Sequence, residues 1–299
     1  MQFFDLHCDT LYKAATEGKT LDEPHYEVSF SKGNSSFTKW RECTAIWIPD
    51  NMNILEMRTL FEGACGVLRD ESKRLSVPVN DLNARKNSFI LTVENGALIG
   101  DDITYIRTLK EAGVKMLTLT WNAENSIGGG ADTQGVGLKP FGKLCVKTLE
   151  SEGIIIDVSH ASDRLFWDVA EIANKPFVAS HSNSRSVCNH RRNLTVEQFE
   201  YISKIGGLVG LNFHVDFLNN NACEALADDI LKHAYHFLSL GGENTLAIGS
   251  DFDGAAMPKS LESIEKIENL YNLFIKHGFN EQVVQKIMYY NAHNFFSKF

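Results

Sequence analysis

GIIIDVSH at 153–160 and KPFVASHS at 175–182 decide the fold. Each holds a short apolar, largely β-branched run, at 154–158 and 177–179, followed by a Ser-His pair, and a helix-length amphipathic segment lies between them. A parallel strand-helix-strand unit with the usual right-handed crossover brings His160 and His181 to the same end of one sheet. Two imidazoles side by side at a strand terminus point to a metal or to a catalytic base. VCNHRRN at 187–193 continues the stretch past the second histidine.

The same alternation runs outward in both directions. Strands are expected at 3–9, 43–48, 89–93, 115–120, 154–158, 177–180, 207–212 and 245–250. Helices are expected at 54–73, 102–112, 137–151, 161–173, 196–204, 224–240, 261–277 and 281–296. Strands alternating with helices imply a parallel sheet. Eight such units in 299 residues fit an α/β fold of the (β/α)8 TIM-barrel type, usually ~250 residues with insertions extending it. An open doubly wound sheet is the alternative, but no strand leads into GxGxxG or GxxxxGK[ST]. The nearest glycine cluster, Gly128-Gly129-Gly130, lies in a loop and lacks the lysine.

Composition sets the outer limits. A chain that is 43% hydrophobic can fill a large core, and no internal repeat or linker divides it, so one domain over 1–299 is expected. A net charge of −9 without a basic run argues against nucleic acid and against an anionic membrane surface. MQFFDLHCDT has neither a basic start nor a long apolar core, and no apolar run approaches ~20 residues, so a cytoplasmic location is expected. The six cysteines, Cys8, Cys43, Cys65, Cys145, Cys188 and Cys223, are scattered without CxxC spacing and are expected to be buried free thiols. Segments 13–41 and 122–136 lack a clear pattern and follow strands. They are expected to overhang the C-terminal mouth of the barrel, where active sites sit.

Polar residues stand at the ends of these apolar strands: His7 and Asp9, then Glu94, His160, His181, and finally Asp251 and Asp253. Singly, each has a plain explanation as a cap, a hydrogen-bonded core histidine or a solvated loop charge. Together they converge on one mouth, and His7 and Asp9, two apart, share a strand face while Cys8 takes the other. Imidazole with carboxylate and no thiolate suits zinc or a similar first-row ion in a catalytic site. So many ligands exceed the needs of one catalytic zinc, and two metals sharing a bridging carboxylate are the economical reading. Such a pair lowers the pKa of a bridging water and polarises a carbonyl, which is hydrolase chemistry.

With these residues in hand, the chain resembles the membrane dipeptidase (renal dipeptidase) family of zinc peptidases, within the amidohydrolase superfamily. The resemblance rests on DLHCDTL at 5–11, TVENG at 92–96, LTLTWN at 117–122, GLKPFGKLCVKTLESEGIIIDVSH at 137–160, ASHSNSRSVCNHRRNL at 179–194 and IGSDFDG at 248–254. It implies two zinc ions, one on His7 and Asp9 and the other on His160 and His181, with Glu94 bridging. It implies hydrolysis of small dipeptides, with tolerance of a D-residue at the C-terminal position, by a hydroxide bridging the metals. Asp251 matches the general acid/base, and Asp253 is then a structural residue. Arg192 matches the anchor for the substrate carboxylate, a task suited to a bidentate guanidinium, with Arg191 in reserve. The family often forms homodimers, though no segment here marks an interface.

One position departs from the animal members, which place a histidine after the fourth strand where this chain has Trp121. An indole offers one N–H and no acceptor, so Trp121 is expected either to donate to the substrate or only to wall the pocket, with Asn122 and Asn125 as further candidate donors. Two other readings stay open: another amidohydrolase reaction on a lactone, cyclic amide or phosphotriester, and a barrel that has become a binding or scaffold protein.

Overall fold

A computed structural model describes residues 1–299. Eight strands, β1 (Gln2–Cys8), β2 (Lys39–Trp47), β3 (Asn87–Glu94), β4 (Met116–Thr118), β5 (Ile155–Asp157), β6 (Val178–Ala179), β7 (Leu208–Leu211) and β8 (Leu246–Ile248), close into one barrel in sequence order. Each pairs in parallel with its neighbours, and the Asp5–Ile248 pairing shuts the barrel. All eight expected strands form, and the open-sheet alternative is excluded.

Around the barrel run α1 (Thr10–Glu17), α2 (Phe30–Ser36), α3 (Ile54–Leu75), α4 (Tyr105–Ala112), α5 (Pro140–Glu152), α6 (Asp163–Ile172), α7 (Val196–Lys204), α8 (Val215–Leu218), α9 (Ala227–Ser239), α10 (Ile267–Lys276), α11 (Glu281–Gln285) and α12 (Asn291–Phe296). Local chemistry sets several boundaries. Capping boxes open α3 at Asn53/Glu56 and α7 at Thr195/Gln198, giving the first backbone N–H groups partners. Gly153, at φ +68°, ends α5 in the left-handed conformation and turns the chain into β5. No helix is long and apolar enough to cross a membrane.

Two apolar clusters hold the fold. The larger lies mostly between strands and helices. The smaller fills the lower barrel interior, where Ile90, Met116, Ile155, Val178 and Leu208 meet Phe4 and are closed off by Tyr289 and Phe296 from the C-terminal segment. Two residues further along β3, β4, β5 and β6, the same inward face turns polar. Thr92, Thr118, Asp157 and Ser180 form the next layer, all buried, and the candidate ligands stand above it.

Two expectations are corrected. Segment 13–41 is not a patternless loop over the mouth: it carries most of α1, all of α2 and the start of β2, although Lys13, Glu27 and Val28 do reach Asp253 at the mouth. Asn34 in α2 meets Lys86 and Asn87 at the entry to β3, so the segment descends the side of the barrel. Its amphipathic turns are too short to stand out in the sequence. The cysteines are all free, but only Cys8, Cys43, Cys145 and Cys188 are buried; Cys65 is partly accessible and Cys223 exposed.

Candidate metal centre and pocket

The strand ends deliver five side chains to one point at the C-terminal mouth. β1 brings His7 and Asp9. Asp9 occupies the N-cap position of α1 but makes no capping hydrogen bond. Its Oδ2 lies 3.4 Å from His7 Nε2, and its Oδ1 is buried without a partner. Glu94, at the end of β3, is 4% exposed and so is not a solvated loop charge. Its two oxygens divide: Oε2 is 3.7 Å from His7 Nε2, while Oε1 is 2.8 Å from His160 Nε2 and 3.5 Å from His181 Nε2.

His160 and His181 follow β5 and β6, with their Nε2 atoms 3.0 Å apart. His160 Nδ1 meets Asn122 Oδ1 at 2.9 Å, and His181 Nδ1 meets Ser180 Oγ at 2.8 Å, so both Nε2 atoms turn inward. Asp251, past β8, places Oδ1 3.9 Å from His7 Nε2, and its Oδ2 accepts from Asn212 Nδ2 at 2.9 Å. Backbone bonds from Asp251 N–H to the His7 carbonyl and from Asp9 N–H to the Phe252 carbonyl lace the two strand ends together. His160 (φ +64°) and Asp251 (φ +68°) both take the left-handed conformation that side chains other than glycine avoid, a cost of order 1–3 kcal/mol each that the surrounding barrel bears. Gly254 is required here, because a Cβ would stand 2.0 Å from Asp9 Oδ2 and 3.0 Å from Asp251 Oδ1.

The electrostatics are those of a cation site. Burial pulls His7 down, but Glu94, Asp9 and Asp251 outweigh it and hold the ring up at about 10. Burial raises both Asp9 and Glu94, and neighbouring carboxylates raise them further. Burial drives His160 and His181 well below the ordinary imidazole value, and nearby Arg192 and His7 add to it, which keeps both rings neutral and able to ligate. Donor atoms of His7, Glu94 and His181, and of His7, Asp9 and Asp251, fall within 4.8 Å of one another. Nitrogen and carboxylate donors converge, and the buried Nε2 of His7 and Oδ1 of Asp9 lack a hydrogen-bond partner. This set fits one or two zinc-like ions.

Above the cluster opens a cavity of about 370 Å³. One wall is aromatic: Tyr12, Trp47 and Trp121 meet edge to face, with successive centroids 4.9 Å apart. His190, His214 and Phe217 form the other. Arg192 also faces the cavity. It is 6% exposed, Nε has no partner, and its one side-chain hydrogen bond, from Nη2 to the His181 carbonyl, is long at 3.5 Å. Burial lowers this guanidinium to about 10, yet it remains a buried cation in the pocket wall. Arg191 instead pairs with Asp132 of segment 122–136, stapling that loop to the 187–193 turn.

Other candidates fall elsewhere. Asp253 is saturated by Thr10, Lys13 and the N–H groups of Glu27 and Val28, so it braces the strand-8 loop and is not free to ligate. Asn125 donates to the Leu119 carbonyl and to Asn95, away from the cavity. Asn122 lines the cavity while it orients His160. The sequence reading did not single out Asp157, Ser180, Asn212, Tyr12 or Trp47. Only Asp157 carried a signal, as a charged residue on the inward face of an otherwise apolar strand.

A family model described as membrane dipeptidase, peptidase family M19, matches residues 1–298. An uncharacterized protein of Klebsiella pneumoniae is 33% identical over 60% of this chain and 70% of its own length. An uncharacterized dipeptidase of Schizosaccharomyces pombe is 31% identical over 67% of this chain, a match that spans 50% of the yeast protein. Among solved structures, a metallo peptidase from Rhodobacter sphaeroides, liganded with a phosphinate mimic of the dipeptide L-Ala-D-Ala, superposes with a TM-score of 0.92. It is 23% identical and 99% of each chain is covered.

Proposed function

The chain belongs to the membrane dipeptidase family, peptidase family M19, and from that premise we propose that it hydrolyses free dipeptides at a centre of two zinc ions. His7 and Asp9 would hold one ion, His160 and His181 the other, with the two oxygens of Glu94 shared between them. When bound, such a pair polarises a carbonyl and makes water a nucleophile at neutral pH.

The chain's own residues supply the rest. The observation that carries the reading is Arg192: a buried guanidinium, largely without partners, set in the cavity wall beside the carboxylate–imidazole cluster. A fork of N–H donors in that state suits a substrate carboxylate, and a carboxylate close to the scissile bond defines a dipeptide. Asp251, held by Asn212 at one oxygen and open to the cavity, takes the proton of the attacking water and returns it to the leaving amine. Trp121 lies over the His160 side of the cavity, where its indole N–H is a candidate donor to the substrate. The L-Ala-D-Ala mimic bound by the Rhodobacter relative supports acceptance of a D-residue at the C-terminal position. Six unpaired cysteines fit work in a reducing compartment such as the cytoplasm.

The test is a dipeptide panel with L- and D-residues at each position, free or amidated at the C-terminus, assayed with and without added zinc. Zinc-dependent cleavage restricted to free carboxylates is the expected result. Turnover of neutral lactones or phosphotriesters without dipeptide cleavage would replace this reading with the other amidohydrolase chemistry.

A further inference from the structure

We propose that Asp157 is a positioning residue for the centre: through the Ser180 hydroxyl it fixes His181 in the tautomer that protonates Nδ1 and aims the Nε2 lone pair at Glu94. The proposal rests on the reading of His181 as a metal ligand.

Asp157 ends β5 inside the barrel and is fully buried. Its Oδ1 accepts the backbone N–H groups of Ser159 and Ser180, both at 2.9 Å. Its Oδ2 accepts the hydroxyls of Thr118 and Ser180, both at 2.6 Å. Four donors on two oxygens is the pattern of a carboxylate, which only accepts. The single hydroxyl proton of Ser180 therefore points at Oδ2; Ser159 Oγ, at 3.3 Å, is a far weaker competitor for it.

With its proton directed there, Ser180 Oγ can only accept from His181 Nδ1, 2.8 Å away. The ring hydrogen must then sit on Nδ1, because a hydrogen bond at one ring nitrogen sets the state of the other. Nε2 is left with its lone pair facing Glu94 Oε1 at 3.5 Å. Asp157 does not line the cavity, so it acts through Ser180 and His181 and not on substrate. The same carboxylate ties β4, β5 and β6 together below the ligands. DVSH thus places the orienting acid and His160 in one motif, while ASHS supplies the intermediary Ser180 and its ligand His181.

The experiment compares the full chain with Asp157→Asn and Ser180→Ala. It reads the His181 tautomer by ¹⁵N NMR of metal-free protein at neutral pH, and zinc affinity by competition with a chromophoric chelator. In Asp157→Asn the amide donates to Ser180 Oγ, the hydroxyl proton turns toward Nδ1, and the ring hydrogen moves to Nε2. In Ser180→Ala both tautomers should appear, since Nδ1 has lost its acceptor. Zinc affinity should fall by roughly 10–100-fold in Asp157→Asn, the usual cost of losing a group that orients a metal-binding histidine. Retention of the Nδ1–H tautomer in both variants overturns the proposal even if the melting temperature drops, since a purely structural role predicts that result. A switched tautomer with zinc affinity unchanged within about twofold overturns it as well. Should Asp157→Asn fail to fold, Ser180→Ala decides, because it keeps the backbone and Thr118 bonds of Asp157. If the unsubstituted chain binds no zinc, the ligand reading falls, while the tautomer still judges the relay.

Discussion

The Nε2 atoms of His160 and His181 face each other at 3.0 Å, and the same oxygen of Glu94 lies 2.8 Å from one and 3.5 Å from the other. Two neutral imidazoles with both lone pairs aimed at one carboxylate oxygen repel unless a proton or a cation sits between them. Asn122 and Ser180 take up the opposite ring nitrogens, which favours the cation.

Glu94→Gln should therefore leave the fold intact, since the amide matches the carboxylate in shape, and remove the charge shared by both halves of the cluster. Metal retained after chelator-free purification, measured by mass spectrometry, should drop below that of the unsubstituted chain. kcat/KM on a cleavable dipeptide should fall by about 10³-fold, equivalent to several kcal/mol of lost carbonyl polarisation.

Arg192→Met replaces a buried charge with an apolar side chain of similar length, so stability should hold. Losing a charge-assisted bidentate contact costs roughly 1.5–3 kcal/mol, or about 10–100-fold in kcat/KM for dipeptides with a free carboxylate. Neutral ester or lactone substrates should show no such loss, and steady-state kinetics on both classes separates the two readings of the site.

Asp251→Asn keeps an oxygen and the shape of the side chain but cannot carry a proton back and forth. kcat should fall by about 10²–10⁴-fold while metal content stays at the level of the unsubstituted chain. Equal loss of metal would make Asp251 a ligand, as its place beside His7 and Asp9 allows.

Trp121 packs against Trp47 and faces the His160 ring, and either the indole N–H or the ring surface is what the substrate meets. Trp121→Phe keeps most of the ring surface and removes the N–H. A drop in kcat/KM of about tenfold, near the value of one hydrogen bond, is expected, and an unchanged value would leave Trp121 as a wall only.

His233 is buried away from the centre, accepting the Ser184 N–H at Nδ1 and facing the Leu218 carbonyl at Nε2. Burial lowers it from 6.5 to about 4. The folded chain thus holds it neutral where the unfolded chain takes a proton. Its contribution is present above pH 6.5 and is lost as pH falls toward 4, to a limit of about 3 kcal/mol. Urea midpoints should decline over that window, and His233→Gln should be less stable at neutral pH but show a shallower decline.

Much of this was legible in the chain itself, for reasons of short range. Apolar runs with a period of two, helical runs between them and metal-ligand residue types at the run ends are local patterns, and eight repeats of them leave few topologies. The barrel and the positions of His7, Asp9, Glu94, His160, His181 and Asp251 at one mouth follow from that. Closure decided the rest. Only the pairing of β1 with β8 sets Asp9 beside Asp251, and only the packed interior turns the two oxygens of Glu94 toward different histidines. Tyr12 in α1, Trp47 at the end of β2 and Trp121 past β4 become one wall through contacts that no periodicity encodes. Asp157 did not stand out among the strand-end acids. Its four hydrogen bonds exist because β4, β5 and β6 converge on it, and long-range convergence is a property of the folded chain alone.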